Sequence, residues 1–382
     1  MDNAIYVQRL HALAAAAHER GWAGLAIGTG DDLRWATGST ITSHERLTLL
    51  CIPARPAGSA DADGAAGVTL IVPKLELAAL AGSVLTPQEA AAAGITIQTW
   101  VDGEDPHALA VAALGSGTVG VDDELPARHL LPLLERGWQP QAGARVIEQQ
   151  RMVKDAAEQE ELRLISGAID RVHRRMPEFL RVGLTEREAA DLISAAMLAE
   201  GHAEVAFAIV GSAAHGADPH HEVSEKVLEA GDIVVVDIGG PAPSGYGSDC
   251  TRTYVLGDPD PEAARMIEIL ERAQASGRAA ARPGATCGEV DAACRDILTD
   301  AGLGDYFIHR TGHGIGISAH EAPFVVGGSE QRLDPGMAIT IEPGIYLPGR
   351  FGARIEDVVL ITDDGCEPLN TTDHGLTQLP AA

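Results

Sequence analysis

The sequence predicts an α+β chain of two domains, a smaller α/β domain over residues 1–148 and a larger domain over residues 149–382. Three observations carry that expectation. Strand-like apolar runs alternate with helical periods through the first third of the chain, the pattern of a layered α/β unit. A long charged stretch of helical period, "RVIEQQRMVKDAAEQEELRLISGAIDRVHRRMPEFL", then breaks the alternation near Arg145–Met152. Beyond it, "VGLTEREAADLI" from Val182 and "PGATCGEVDAAC" from Pro283 look like two copies of one motif.

The elements follow in order. Tyr6, Leu10, Leu13 and Ala17 form one stripe of an opening amphipathic helix. Asp2 and Arg9 inside it argue against a signal peptide. Ala23–Gly28, Leu47–Pro53 and Val68–Pro73 read as buried strands. Between the last two lies "ARPAGSADADGAAG", whose Pro, Gly and Asp content predicts a mobile loop without function. "GSGTVG" at Gly115–Gly120 matches GxGxxG, but it follows a helical stretch and leads into a strand, the reverse of a dinucleotide site. In the larger domain, Thr185 with Glu188 and Thr286 with Glu289 spell capping boxes, in which Thr accepts from the third helical amide and Glu reaches back to the Thr amide. Such boxes are common, so chance remains an alternative to a true repeat.

Composition narrows the function. The chain has 28 basic and 55 acidic residues, a formal charge of −27. That surface repels phosphate backbones and anionic membranes, so neither nucleic acid nor a membrane is expected as a partner. No apolar run approaches the ~18 residues of a membrane span. The cysteines Cys51, Cys250, Cys287, Cys294 and Cys366 form no CxxC pair, which fits a reducing cytoplasm.

Chemistry concentrates in the larger domain. "HRTGHGIGISAHE" sets His309, His313 and His320 among glycines. Asp237 ends the β-branched run "DIVVVDIGG", and Asp249 leads the next strand in "GYGSDCTRTYV". The Pro/Gly turn between them predicts a hairpin that brings both carboxylates together. Each Asp alone reads as well as a turn cap. Glu342 follows an apolar strand in "MAITIEPGIYLP", and Glu356 is placed inside an apolar strand in "FGARIEDVVLIT", with Asp357 on the opposite face. Alone, the first is a turn-flanking Glu and the pair an edge-strand charge pair. Together, four carboxylates and an imidazole suit hard or borderline divalent cations such as manganese, cobalt or zinc. Four negative charges fit two ions better than one, and two ions can share a water of lowered pKa.

"ADPHH", "VVVDIGG", "GSDCTRT", "HRTGHGIGISAHE", "TIEPGIY" and "RIEDVVLIT" resemble, in order and approximate spacing, the pita-bread metallopeptidases, and among them prolidase and aminopeptidase P. The resemblance covers roughly Val153 to Thr371; the smaller domain resembles the creatinase-type domain that precedes such catalytic domains. It implies hydrolysis of Xaa-Pro bonds at a dinuclear centre, with Mn the first expectation and Co or Zn next. It implies Asp237, Asp249, His313, Glu342 and Glu356 as ligands, Asp249 and Glu356 bridging, and Glu342 also moving the proton. His220 and His320 match histidines that meet the substrate. Arg354 and Tyr346 match groups that orient ligands, and His309 is placed near the proline end of the substrate. Gly312, Gly314 and Gly316 are expected to let the backbone pass close to the metals. The Asp237–Asp249 spacing departs by one residue within "GPAPSG", and His221 beside His220 leaves open which imidazole acts. The family is often dimeric, which makes Trp35 a candidate contributor to a neighbour's site, although core packing explains it as well. An aminopeptidase on longer peptides, a creatinase-like C–N hydrolase and a non-catalytic peptide-binding module are the competing readings.

Overall fold

The structure is a computed structural model that describes residues 3–58, 65, 67–82 and 86–381. Half of the loop predicted to be mobile, residues 59–64 and 66, lies outside the described residues. The chain separates into two compact units, Met1–Arg151 and Met152–Ala382.

The first unit is a mixed six-stranded sheet. Its strands are β1 (Gly24–Ile27), β2 (Leu49–Pro53), β3 (Thr69–Pro73), β4 (Thr96–Trp100), β5 (Gly117–Val121) and β6 (Trp138–Ala142), in the order β4-β3-β2-β1-β5-β6. The opening helix Asn3–Glu19 buries Tyr6, Leu10, Leu13 and Ala17, the stripe read from its period. "GSGTVG" joins helix Pro106–Leu114 to β5, with Gly115 and Gly117 at positive φ, as a turn does. Trp35 is buried in this unit, with the Arg9 guanidinium 4.7 Å from its ring.

The second unit begins with a break. The stretch of helical period is three helices, Ala144–Arg151, Ala156–His173 and Met176–Phe179. Asp155 explains the first interruption: its carboxylate accepts from the amides of Ala157 and Glu158, and Glu158 returns to the Asp155 amide. The two copies suggested by sequence are helices Glu186–Ala199 and Cys287–Asp300, each of 14 residues and each opened by its Thr–Glu capping box. Both N-cap threonines also form isolated bridges, Thr185 with Val227 and Thr286 with Arg332. The correspondence therefore extends beyond the caps.

Helix Glu186–Ala199 lies against one sheet, and helices Pro261–Ala280 and Cys287–Asp300 lie against another. The first holds β7 (Phe207–Ser212), β8 (Ile233–Pro241) and β9 (Gly247–Leu256) as an antiparallel meander. The second is built from β10 (Gly312–Gly314), β11 (Glu321–Val325) and β12 (Ala338–Ile341). A separate hairpin follows, β13 (Gly344–Leu347) with β14 (Phe351–Arg354). The chain then returns through β15 (Asp357–Ile361), which pairs with β12, and β16 (Cys366–Pro368). A last strand, β17 (Thr377–Leu379), joins β9 in parallel. Separate aliphatic clusters fill the space behind the two sheets. With only 4% aromatic residues, packing rests on Leu, Ile, Val and Ala.

Candidate active site

The β8–β9 register sets Asp237 opposite Thr251 and Asp249 opposite Gly239. Side chains alternate along strands, so both aspartates emerge diagonally on one face. The turn between the strands is closed by Ala242 accepting from Gly245 and donating to Tyr246, and it absorbs the "GPAPSG" sequence without disturbing that register. Glu342 sits one residue past β12. Glu356 differs from expectation. "FGARIEDVVLIT" is two strands, and Glu356 occupies the break between β14 and β15 instead of a strand interior. Asp357, its neighbour, is no edge charge either. It is fully buried and accepts from Arg252, Gln274 and His374.

These elements converge on a cavity of about 870 Å³ whose lining includes Asp237, Asp249, His313, Glu342 and Glu356. Potential ligand atoms fall into overlapping groups, each within 4.8 Å. One is Asp237, Asp249 and Glu356; a second is His313, Glu342 and Glu356; a third joins Asp249 to His313 and His320. Glu356 belongs to both of the first two. His313 donates from Nδ1 to the Gly314 carbonyl at 3.0 Å, which leaves the Nε2 lone pair facing Glu342 Oε1 at 3.3 Å and Asp249 Oδ2 at 3.7 Å. Burial lowers the His313 pKa to about 3, so its imidazole is neutral and able to ligate. Burial and mutual repulsion push Asp249 and Glu356 far above the carboxylate range, and Glu342 up to about 7. Asp237 Oδ1 is buried without a hydrogen-bond partner. Crowded carboxylates and an orphaned buried oxygen are costly alone and satisfied by cations, so this donor set fits divalent metal.

Arg354 braces the centre. Its guanidinium donates to Asp237 Oδ2 at 2.6 Å, Thr251 Oγ1 at 3.0 Å and the Tyr346 hydroxyl at 2.7 Å. Tyr346 in turn lies 2.9 Å from His309 Nε2 while His309 Nδ1 lies 2.7 Å from the Arg310 carbonyl. The consistent assignment is a neutral His309 protonated on Nδ1 and accepting from Tyr346; burial lowers its pKa to about 4. His220 and His320 also line the cavity, the His320 ring centre 4.2 Å from that of His313 in an edge-to-face arrangement. Both adjacent imidazoles line the cavity, and they differ in their bonding: His221 is held by Glu186 at 2.8 Å, while the His220 ring has no hydrogen bond among the described residues.

The glycines serve close approach within the protein. Gly312, Gly314 and Gly316 are not at positive φ. A Cβ on Gly312 would sit 2.0 Å from the Thr340 carbonyl oxygen, and one on Gly314 2.2 Å from that of Ala322. They let strands and the Glu321 carboxylate approach one another. Sequence reasoning also passed over Thr251 and Thr340, which donate to Glu356 and Glu342. Their signal was alternation, since each lies two residues from a ligand candidate on its chain. Lys154 was missed as well; it is buried against Glu321, and distance in sequence hid the pair.

Residues 160–363 match the description "Metallopeptidase family M24". The chain belongs to metallopeptidase family M24. This M24 chain is 49% identical over its whole length to a probable dipeptidase PepE from Mycobacterium bovis, covering 98% of that protein. It is 40% identical over 232 residues to an Xaa-Pro dipeptidase of Pyrococcus furiosus, 60% of this chain and 66% of that protein. Its fold superposes on the crystal structure of dipeptidase PepE from Mycobacterium ulcerans with a TM-score of 0.92 at 49% identity, covering 100% and 99% of the two chains. The M24 chain is therefore a metallopeptidase with a pita-bread catalytic domain, and it uses divalent metal ions to cleave peptides. No helix among its described residues is long and apolar enough to cross a membrane.

Proposed function

We propose that this M24 peptidase is an Xaa-Pro dipeptidase that works through two divalent cations, manganese first among them. The observation that carries the metal chemistry is the meeting of four carboxylates and a neutral imidazole around the unpartnered Asp237 Oδ1. Asp237, Asp249, His313, Glu342 and Glu356 would hold the ions, with Glu356 common to both of the carboxylate-rich groups. When bound, such a pair activates a water for attack and polarises the scissile carbonyl. The protein's own groups do the rest. Glu342, held by Thr340 at 3.2 Å, takes the proton of the attacking water and passes it to the leaving proline nitrogen. His220 and His320 donate to the developing oxyanion. Tyr346 and Arg354 keep Asp237 and His309 in place.

Substrate length follows from Arg310. It lines the cavity with its guanidinium 4.6 Å from the Phe324 ring centre, and it forms no ion pair among the described residues. Its positive charge lowers the pKa of His313, His320 and Glu342, so it bears on the centre. A guanidinium fixed on an aromatic face and left unpaired suits a carboxylate. In a dipeptide that carboxylate belongs to the proline. Phe207, Ile209 and Ile308 offer apolar wall for its ring. A proline nitrogen carries no N–H and its ring fixes φ, so a shaped pocket is needed.

The test compares Xaa-Pro with Xaa-Pro-Yaa, using metal-stripped protein with and without Mn²⁺, in wild type and Arg310→Met. Metal-dependent cleavage of the dipeptide is expected. The substitution should raise its KM by roughly 10- to 100-fold, the worth of a charged hydrogen bond. Preference for the tripeptide, unaltered in Arg310→Met, would assign an aminopeptidase instead.

A further inference from the structure

We propose that Glu186 positions His220 for the reaction by holding the adjacent His221. The inference rests on the substrate contact assigned above to His220. Glu186 opens helix Glu186–Ala199, and its side chain is fully buried. Oε1 accepts from the Ser212 amide at 2.9 Å and hydroxyl at 2.6 Å. Oε2 accepts from the Ser224 hydroxyl at 2.7 Å and amide at 3.3 Å. One carboxylate thus ties both ends of the segment from Ser212 to Ser224. Burial opposes its charge, yet the bonds from Ser212, Ser224 and His221 hold its pKa down at about 2.

A carboxylate has about four lone-pair sites, and the two serines fill them. The imidazoles are additional. His221 Nε2 lies 2.8 Å from Oε2, and His215 Nδ1 lies 3.1 Å from both oxygens. Neither is needed to satisfy the anion. What they do is fix the segment's interior. Both His220 and His221 line the cavity, and of the two only His221 is bonded to Glu186. The His220 ring has no hydrogen bond among the described residues; only its amide is anchored, to Asp218 Oδ1 at 3.1 Å. It lines the cavity together with His309 and His320. The direction of a free ring is set by its backbone, and here the backbone is set next door.

The experiment measures kcat, KM, bound metal and melting temperature for Glu186→Gln, His221→Gln, His220→Ala and the double variant Glu186→Gln/His220→Ala. Glu186→Gln should lower kcat on an Xaa-Pro dipeptide by roughly 10- to 100-fold, the cost of losing an orienting group. KM and metal content should hold within about twofold, and Glu186→Asp should recover part of the loss. In the His220→Ala background, Glu186→Gln should cost nothing more, because the group it positions is gone. His221→Gln leaves every serine bond intact and carries the same test should Glu186→Gln not fold. Losses that multiply in the double variant, or wild-type kcat in both Glu186→Gln and His221→Gln, would overturn the inference alone. Wild-type kcat in His220→Ala would overturn it together with the role of His220.

Discussion

The two halves of the catalytic unit solve one problem by different means. In the first, Gly231 at φ 91° precedes β8, and Asp237 follows it by six positions. In the second, Gly336 at φ 90° precedes β12, and Glu342 follows it by six positions. Each half then adds a second carboxylate, Asp249 or Glu356. The first half uses short side chains projecting from the middle of continuous strands. The second uses longer ones where strands end, Glu342 after β12 and Glu356 before β15. One more methylene lets a carboxylate reach the same point from outside the sheet. Ending the strands also makes room for the β13–β14 hairpin, which carries Tyr346 and Arg354. The first half is a platform, and the second carries the variation. Contacts cross both ways: Arg354 donates to Asp237, and Thr251 donates to Glu356 at 2.7 Å.

The strongest way to break the comparison is at the residue both candidate ion groups share. Glu356→Gln should abolish binding of both ions and lower activity by well over the ~100-fold limit of outer-shell changes. Asp237→Asn touches one ion group and should leave one equivalent of metal bound. Metal content by mass spectrometry, beside peptide turnover, separates the two. Equal losses would mean that the halves do not divide the ions as proposed.

Next comes the crossing contact. Arg354→Met strands Asp237 and removes the donor to Tyr346. Removing one partner of a buried pair costs about 3–5 kcal/mol. Metal affinity should fall roughly 10- to 100-fold as well. Urea unfolding and a metal titration measure both. A variant as stable as wild type would show that the hairpin serves chemistry alone.

A smaller effect concerns Asp357, beside Glu356 but turned into the core. Burial raises its pKa, but bonds from His374 and Arg252 outweigh it and hold the carboxyl below its ordinary value. A folded pKa below the unfolded one stabilises above the unfolded value, near ~3.9, and the contribution is lost as pH falls through the folded value. Stability should therefore fall below about pH 4, and more steeply in wild type than in Asp357→Asn. Parallel slopes would remove the pair from the acid response.

Much of this was legible in sequence, and the failures have physical reasons. Asp237 and Asp249 could be placed because a hairpin and alternation fix their common face. Glu356 was set inside a strand because apolar residues flank it on both sides in "FGARIEDVVLIT", and apolarity does not show where hydrogen bonding stops. The breaks between the three helices from Ala144 to Phe179 were not visible because helical period persists across the Asp155 cap. The glycines of "GHGIG" announced close approach but not to what; only the register with Thr340 and Ala322 shows that. Glu186 passed as part of a helix start, since its partners Ser212, His215, His221 and Ser224 are 26 to 38 residues away.

The smallest prediction sharpens the comparison most, because it asks whether the halves remain equal where no function separates them. Thr185 accepts from the Glu188 amide at 3.1 Å, and Thr286 accepts from the Glu289 amide at 3.1 Å. The return bonds are 2.8 and 2.7 Å. Both caps are exposed, so neither gains from burial. Thr185→Ala and Thr286→Ala should each cost about 1 kcal/mol, a shift of roughly 2–4 °C in the melting of a unit this size. The two losses should agree within about 0.5 kcal/mol and add in the double variant, since the caps share no partner. Glu186 is the element in which they differ. It lies one residue after Thr185 and anchors the Ser212–Ser224 segment, while the matching position after Thr286 is Cys287. A larger loss for Thr185→Ala would therefore show the cap supporting that anchor, and it should appear together with a fall in kcat that Thr286→Ala lacks.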